Sequence, residues 1–498
     1  MVGELEDAAV VSQFTADRAV ALGGPSWLRD RRIEAVEELG VMPMPSEKEE
    51  VWRYTPIDQL RLNDFTPLPG GHREDLGPVG SAFVAGIVAD LPSFAALVTV
   101  VDGKPVSVDR RALPDKVVVG GVTVLGTDGI QRGIRGTADA GVHAERPVLG
   151  GLLTGGDVFV RLNDAFHPDA VVVDVPPGVI VDSPVIVLHW CTSGTRAGRP
   201  EAPAIFPRTV VRLGRGASAQ VVEVLAGAPD AGSALVVPVA ELVAEDGSRL
   251  SYGALQVLGT EVWHIGRLVG SSGRDATLRT FTVGLGGAYD RTRTDAVARG
   301  QGAATELRSA YLGTGTQVHD VRTLQDHVAP HTTSDLLCKG AVAGTSRSVY
   351  SGLIRVRRGA VRTNAFQTNH NLVLSEGAHA DSVPNLDIEE NDVRCSHAST
   401  VGPVDEDQRY YLESRGIPPT RAEQLIVLGF FDDIVQRSPV PALVPRLRRE
   451  VGLRLANTLE LDLGPSSEWE GAPGAGKEIS GHEPAGTDEH MGIGEQDG

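Results

Sequence analysis

The chain has 498 residues, of which 41% are hydrophobic and 22% charged, a composition typical of a folded protein and not of a disordered or collagen-like chain. Its 46 basic and 65 acidic residues give a formal charge of −19, which argues against nucleic acid as a main partner because phosphate binding needs a basic face. Glycine is abundant, at 59 residues, whereas only 5% of the residues are aromatic. That imbalance needs a structural explanation.

The cysteine pattern indicates a reducing compartment, and the hydropathy indicates that the chain has no membrane segment. Cys191, Cys338 and Cys395 are odd in number and far apart, so they form neither a disulfide framework nor a CxxC metal motif. The N-terminal residues lack the pattern of a secretory signal, and no apolar run reaches the roughly 18 residues of a membrane helix. We therefore expect a cytoplasmic protein with no membrane segment.

The first 80 residues are expected to form an N-terminal helical region. Helical patterns cover 17–22 and 25–39, and a turn-rich passage follows. Within that passage, residues 50–56 read EVWRYTP, and Trp52 and Tyr54 are expected to pack together in a small helical core.

From about residue 81 to 400 the pattern changes to short runs rich in Val, Leu and Thr that are separated by glycine-centred turns. Such runs predict strands. The clearest ones cover residues 96–103, 116–125, 157–162, 209–217, 262–273 and 277–287.

The turns recur at a regular spacing. Gly216, Gly247, Gly273 and Gly302 follow one another at 31, 26 and 29 residues, within the range of about 20–50 that is typical of stacked repeats. Similar turns contain Gly344, Gly359 and Gly377. Short strands without intervening helices favour a mainly β fold with a β-solenoid core, in which small aliphatic side chains fill the coils and few aromatic rings are needed. A pair of β-sandwiches is the alternative that periodicity leaves open.

After residue 400 the pattern becomes helical again, and we expect a C-terminal helical domain over 401–463. Thr420 and Glu423 match a capping box preceded by two prolines. Ala422, Leu425, Ile426, Gly429 and Phe430 then form one apolar helix face. A second helix is expected over about 442–459, with a basic face from Arg446, Arg448, Arg449 and Arg454. Residues 464–498 hold nine glycines, eight acidic residues and one lysine, which predicts a disordered tail.

The richest set of chemically competent side chains lies at 391–402. In a strand, Cys395 and His397 point to the same face, where a thiolate and an imidazole can share a metal ion. Two ligands fall short of the three or four that a closed site needs, so further ligands would have to come from elsewhere, including another subunit. Ordinary packing of a buried cysteine beside a histidine at the end of a strand is the alternative. The spacing of His319, His327 and His331 matches no known metal motif, and no P-loop, GxSxG or HExxH sequence is present.

Several of these stretches resemble the SufB/SufD family. The most specific is 394–402 (RCSHASTVG), which is followed by 405–408 (DEDQ) and 411–417 (YLESRGI). Shorter matches lie at 50–56, 327–334, 339–340, 367–369 and 371–375, so that the resemblance spans roughly 45–437. The Cys-Ser-His pattern at 395–397, together with Asn369 where SufB-type members have a cysteine, favours the SufD type.

The resemblance implies a right-handed parallel β-helix core between helical N- and C-terminal parts. It also implies a non-enzymatic scaffold subunit of the SUF iron–sulfur cluster assembly complex, which pairs with SufB and binds SufC, an ABC-type ATPase. Iron or an iron–sulfur cluster would be held transiently at the interface with SufB. Flavin binding by the complex and a homodimer of the isolated chain stay open.

The resemblance also suggests roles for single residues. His397 would be the residue lent to the SufB interface, with Cys395 either a ligand or a packing residue. The helical segment 414–435 would bind SufC through Leu425, Ile426 and Phe430, unless that apolar face only covers the β-helix. Two other functions compete with this one: a SufB-type scaffold that carries the nascent cluster itself, and a β-helix enzyme acting on polysaccharide.

Overall fold

The structure, a computed structural model, describes residues 13–91, 93–123, 149–153, 156–192, 202–229 and 232–458. The tail predicted for 464–498 lies outside these residues. The described α-helices are α1 (Ala16–Ala21), α2 (Ser26–Leu39), α3 (Gly77–Asp90), α4 (Val158–Phe166), α5 (Glu406–Ser414), α6 (Pro419–Val435) and α7 (Val444–Thr458). Short 3₁₀ helices cover Glu50–Trp52, Ile57–Gln59, Leu62–Asp64, Arg73–Leu76 and Pro441–Leu443.

The strands belong to two sheets, here named sheet A and sheet B. Over the described residues, sheet A has twelve strands and sheet B has ten. Sheet A contains β1 (Phe65–Pro67), β4 (Val118–Gly121), β5 (Val171–Val175), β7 (Ala202–Ile205), β8 (Arg208–Leu213), β10 (Ala234–Val236), β11 (Val239–Ala244), β13 (Val262–Ser272), β15 (Tyr289–Ala298), β17 (Val318–His327), β19 (Arg347–Val356) and β21 (His379–Ile388). Sheet B contains β2 (Ala96–Val101), β3 (Lys104–Arg110), β6 (Val185–Cys191), β9 (Ser218–Gly227), β12 (Arg249–Val257), β14 (Thr277–Gly284), β16 (Ala304–Gly313), β18 (Thr333–Val342), β20 (Asn364–Val373) and β22 (Arg394–Gly402).

The chain winds as a parallel β-solenoid. From β12 to β22 it alternates between the sheets, with even-numbered strands in sheet B and odd-numbered strands in sheet A. Arg249 pairs with Thr277 and Thr277 with Ala304, so one coil takes 28 residues and the next takes 27. This confirms the β-solenoid predicted from the glycine spacing and excludes the β-sandwich pair, because neighbouring strands along this path run parallel.

Tight turns between the coils explain part of the glycine content. Gly216 and Gly344 have φ angles of 68° and 70°, in the left-handed region where a side chain is strained. Gly273 is different, since the left-handed residue of its turn is Asp275, with φ 53°. The glycine spacing therefore located the turns correctly, but at Gly273 it did not identify the residue that adopts the left-handed conformation.

The solenoid interior is aliphatic in its earlier coils. One large buried cluster is built mainly of Val, Leu and Ala, and it includes Val211, Leu242, Leu250, Leu268 and Leu278 on facing strands. Since each coil needs only small side chains to fill the narrow space between two sheets, the low aromatic content follows from the architecture.

One predicted strand is wrong. Residues 157–162 (DVFVRL) were expected to be extended because of their β-branched side chains, but Val158–Phe166 forms helix α4. The carboxylate of Asp157 accepts hydrogen bonds from the backbone N–H groups of Phe159 and Val160, which is the N-cap arrangement that starts a helix. Burial of nearly the whole helix then outweighs the strand propensity of its valines.

The predicted capping box at Thr420 is also wrong. Helix α6 begins at Pro419, with Pro418 at the N-cap position and no side-chain cap. Proline suits the first helical turn because its fixed φ is compatible with the helix and its missing N–H would have no partner there anyway. The two prolines therefore start the helix two residues before the position that the capping box predicts.

The predicted basic face of α7 is an ion-paired surface within the described fold. Arg446 pairs with Asp90 of α3 and with Glu450, and Arg448 pairs with Asp432 of α6 at 2.7 Å. These contacts fix α7 against both neighbouring helices. No helix among the described residues is long and apolar enough to cross a membrane.

Candidate functional site

Cys395 and His397 lie together on β22, the terminal strand of sheet B in the described part of the chain. Cys395 is in register with Ala365 and His397 with Gln367, two residues of β20 that are almost fully buried. Both side chains therefore belong to the face of β22 that continues the solenoid interior, as the two-residue spacing predicts. His397 is nevertheless exposed, because β22 pairs with β20 on one edge and is the last strand of the sheet path.

The two side chains have different surroundings. Cys395 is half-buried and packs against a small cluster that contains Ile354, Val356 and Ala365. Burial raises the pKa of the Cys395 thiol, with a smaller opposing effect from a hydrogen bond to the Ala365 backbone. The thiol is therefore protonated at neutral pH.

These two residues do not make a complete metal site. Among the described residues, no group of three or more His, Cys, Asp or Glu side chains is arranged to hold a metal ion. A tetrahedral site formed at His397 and Cys395 would need two more ligands. A metal site at this pair would therefore need ligands from outside the described residues.

The histidine series at 319, 327 and 331 forms no metal site. His319 is fully buried and its Nδ1 lies 2.9 Å from the carboxylate of Asp290. His327 is hydrogen-bonded through both ring nitrogens, to Thr332 at 2.7 Å and to Ser334 at 2.8 Å. The nitrogens that a metal ion would require are thus already used in His327, and Nδ1 of His319 is hydrogen-bonded to Asp290.

The residues predicted to bind a partner lie on the outer side of α6. The helix buries a different face, formed by Ala422, Gln424, Val427, Leu428, Phe431, Ile434 and Val435. Leu425 is 38% exposed, and Ile426 and Phe430 are half-buried. These three side chains lie outside the fully buried face of the helix. Ala422, expected on the same apolar face, is instead fully buried.

A lysine that the sequence analysis missed holds Phe430 in place. Lys339 projects from β18, and its Nζ donates a hydrogen bond to the Phe430 carbonyl at 3.0 Å and pairs with Asp433 at 2.7 Å. The same ammonium group lies 4.6 Å from the centre of the Phe430 ring. The pair is 91 residues apart in sequence, so no local pattern predicts it.

Asn369, the position where SufB-type members have a cysteine, lies inside the solenoid. It is in register with Cys338 of β18 and Ser399 of β22. Its side-chain oxygen accepts hydrogen bonds from Asn371 at 2.7 Å and from Ser382 at 2.8 Å. Burial raises the pKa of the Cys338 thiol to about 12, so this thiol is unreactive in the folded chain.

The N-terminal motif at 50–56 fastens the helical part to sheet A. The Trp52 ring is buried beneath the guanidinium of Arg291, 3.8 Å from the ring centre, and packs against Phe159. Arg291 and Arg322 also donate hydrogen bonds to the backbone carbonyls of Val51 and Arg53. Tyr54, expected to pack beside Trp52, is 47% exposed. That part of the prediction is wrong, because the turn at Tyr54 (φ 69°) directs the ring away from the core.

Comparison with known proteins places these features in a family. Residues 195–430 match the family model described as the SufBD core domain of the SUF system for FeS cluster assembly. A SufBD family protein of Mycobacterium bovis is 38% identical over 215 residues, which are 42% of this chain and 54% of that protein. The match therefore spans about half the length of this mycobacterial relative.

Two relatives match over most of their length. The iron–sulfur cluster assembly protein SufD of Escherichia coli is 28% identical over 416 residues, 83% of this chain and 89% of that protein. SufD of Bacillus subtilis is 26% identical over 433 residues, 85% of this chain and 93% of that protein. The matched regions include β22, α6 within the family model up to Phe430, and the solenoid that carries them. These matches support assignment of the chain to the SufB/SufD family and, within it, to the SufD type.

Proposed function

We propose that this chain is a non-catalytic scaffold subunit of iron–sulfur cluster assembly, which pairs with a SufB subunit and binds the SufC ATPase. The observation that carries the proposal is the incomplete ligand pair at the end of the solenoid. Cys395 and His397 lie on the open face of a terminal strand, where a second protein can supply the missing ligands for iron or a nascent cluster. Iron and sulfide are in this view the cargo of the complex.

The open end of the solenoid also favours a protein partner. The last strands expose Leu386 and Ile388 of β21 and Val401 of β22, each by 40% or more of its surface. Edge strands with exposed apolar residues are templates for pairing with another chain. A SufB subunit that covers this end would bury those side chains and bring its own ligands close to His397.

The proposed ATPase surface is the outer face of α6. Leu425, Ile426 and Phe430 present apolar groups that the fold leaves at least partly exposed, and Lys339 contacts both the carbonyl and the ring of Phe430. An ordered aromatic anchor surrounded by smaller apolar groups is a common binding hot spot. Hydrolysis of ATP by SufC would act on the complex through this helix.

The two competing functions have less support. A SufB-type scaffold that seeds the cluster would need a thiol at the position of Asn369, where this chain has a hydrogen-bonded amide. A polysaccharide-acting β-helix would need carboxylates and aromatic platforms on one exposed face. The exposed tyrosines Tyr410 and Tyr411 lie instead on α5, outside the two sheets.

The test is co-expression of this chain with SufB and SufC, followed by purification through a tag on this chain. We expect all three proteins to co-elute, and we expect the double variant Ile426→Asp, Phe430→Asp to lose SufC while it keeps SufB, because two charges would be buried against SufC. Leu453→Asp is the matched control, since Leu453 is 51% exposed on α7 and lies outside the proposed surface. Normal SufC binding and normal ATPase stimulation by the double variant would contradict the docking assignment, and a chain that elutes alone would contradict the function.

A further inference from the structure

Lys339 joins the outer surface of sheet B to helix α6. The residue is 8% exposed, and its ammonium group makes three contacts with that helix. It donates a hydrogen bond to the Phe430 carbonyl, lies over the Phe430 ring and pairs with the carboxylate of Asp433. A nearly buried ammonium group is costly unless it is paired and hydrogen-bonded. Lys339 meets both conditions only while α6 is in its present position.

The contact orders the part of α6 that the proposed function uses. Phe430 is half-buried, and its ring is held between Lys339 and the edge of Phe431, whose ring centre is 5.4 Å away. Asp433 makes a second pair with Arg437, two residues beyond the end of α6. The carboxylate thus links Lys339 to the last turn of α6, and the ammonium group fixes both the backbone and the ring of Phe430.

The other side of β18 faces the solenoid interior. Cys338, the residue before Lys339, is fully buried and in register with Asn369 of β20. Asn369 accepts a hydrogen bond from Ser382, which in turn accepts one from Ser399 of β22 at 2.6 Å. The backbone around Lys339 therefore adjoins the hydrogen-bonded interior that reaches the terminal strand.

We propose that Lys339 is a positioning residue that fixes Phe430 for a protein partner and couples helix α6 to strand β18. The nature of the partner as an ATPase rests on the proposed function, whereas the coupling between the helix and the strand is a property of this chain alone. A protein bound on the Phe430 face would pull on an ammonium group that is attached to the strand next to Cys338. Helix α6 and the hydrogen-bonded interior near β22 would then change position together.

The first test uses the free chain and hydrogen exchange. In Lys339→Met, we expect amide exchange about tenfold faster both in residues 428–435 of α6 and in residues 336–342 of β18, because a charged hydrogen bond and an ion pair are lost from both elements. Lys339→Arg keeps the charge and should restore most of the protection. Lys48→Met, at an exposed lysine, is the control and should change nothing. Unchanged exchange in either segment of Lys339→Met would overturn the coupling.

A second readout separates a specific charge contact from general loosening. His370 of β20 is in register with Lys339, and its pKa is lowered first by burial and second by the Lys339 charge, while Asp433 acts in the opposite direction. Removing the charge in Lys339→Met should raise the pKa of His370, as followed by NMR of its ring protons. Lys339→Arg should leave that pKa low. An unchanged pKa in Lys339→Met would show that the ammonium group is not held at this place.

Binding of the partner completes the test. SufC should bind Lys339→Met several-fold more weakly than the wild type, since a mobile Phe430 must be ordered on association, and Lys339→Arg should recover part of the affinity. Equal affinity of Lys339→Met and the wild type would remove the positioning role. If the wild type itself does not bind SufC, the proposed function fails, while the exchange and titration results on the free chain still decide whether Lys339 couples helix and strand.

Discussion

Asp290 offers the sharpest test of how the solenoid interior is stabilised. Its carboxylate is 4% exposed and lies between two imidazoles, 2.6 Å from Nδ1 of His264 and 2.9 Å from Nδ1 of His319. Burial alone would raise the pKa of Asp290, but the hydrogen bonds from the two histidines outweigh burial and lower it below its usual value. Asp290→Ala removes this acceptor and leaves the histidines in place.

The loss can be estimated from the contacts. Each buried imidazole donor left without a partner costs about 1–3 kcal/mol, so two donors cost about 2–6 kcal/mol of the free energy of unfolding. Removing one partner of a buried charged pair costs about 3–5 kcal/mol by a separate estimate. We therefore expect Asp290→Ala to lower the free energy of unfolding by about 4 kcal/mol. Asp387→Ala is the control, since its pair with Arg355 has side chains 47% and 38% exposed and is worth about 0–1 kcal/mol.

Urea titration followed by circular dichroism measures both variants, with the slopes compared to verify that the transitions are alike. The expected pH dependence follows from the lowered pKa. The contribution of Asp290 is complete above the unfolded pKa of about 3.9 and is lost as the pH falls further toward the folded pKa. The gap between wild type and Asp290→Ala should therefore be full at pH 7 and narrow below about pH 4. A loss no larger than that of Asp387→Ala, or a gap that widens in acid, would refute the reasoning.

Two further variants test the site and the N-terminal motif. His397→Ala should leave the complex assembled, since His397 is exposed, but should lower the amount of iron recovered on the SufB-containing complex. Ser396→Ala, at the exposed neighbouring residue, is the control and should leave iron recovery unchanged. Equal iron recovery for the two variants would remove His397 from the site. Trp52→Ala should lower the free energy of unfolding by about 3–5 kcal/mol, because it empties a buried site between Phe159 and Arg291. Tyr54→Ala should stay within about 0.5 kcal/mol of the wild type in the same urea titration, and similar losses for both aromatic variants would contradict the described packing.

The repeating features of the fold were predicted well from the sequence, because a structural repeat produces a residue pattern with the same period. Left-handed glycines recur at turns such as Gly216, Gly247 and Gly302, and the strand runs between them follow from side-chain type. Features decided by a single contact were missed. The valines at 158 and 160 favour a strand by propensity, and only the capping by Asp157 and the burial of α4 make them helical.

In the candidate site too, features that follow from a local sequence pattern were predicted, and features that depend on distant contacts were not. That Cys395 and His397 share a face follows from the two-residue period of a strand, and the structure places them accordingly. The contact of Lys339 with Phe430 and the pair of Asp290 with His319 could not be predicted in this way. They join residues 91 and 29 positions apart, and their formation depends on the exact register of the coils and on where α6 packs. The metal role of His397 and the partner role of Leu425, Ile426 and Phe430 stay predictions.

The solenoid interior is not uniformly apolar along its axis. At one interior position the residues of successive coils are Leu250, Leu278, Thr305, Ser334 and Ala365, so hydroxyl groups interrupt the apolar packing before it resumes beneath Cys395. Apolar packing tolerates small displacements of a strand, whereas buried hydrogen bonds are directional and penalise a shift of register.

In the terminal coil, directional hydrogen bonds hold strand β22. Ser382 of sheet A bridges Asn369 and Ser399 of sheet B, at 2.8 and 2.6 Å, and so ties β22 across the interior to the opposite sheet. Among the described residues, β22 has a neighbouring strand on one side only, and the bridge adds a directional contact to its inner face, where Cys395 also packs against Ile354 and Val356. Because Cys395 and His397 lie on that inner face, the polar interior keeps two candidate ligands in a defined position on a strand that is still open to a partner.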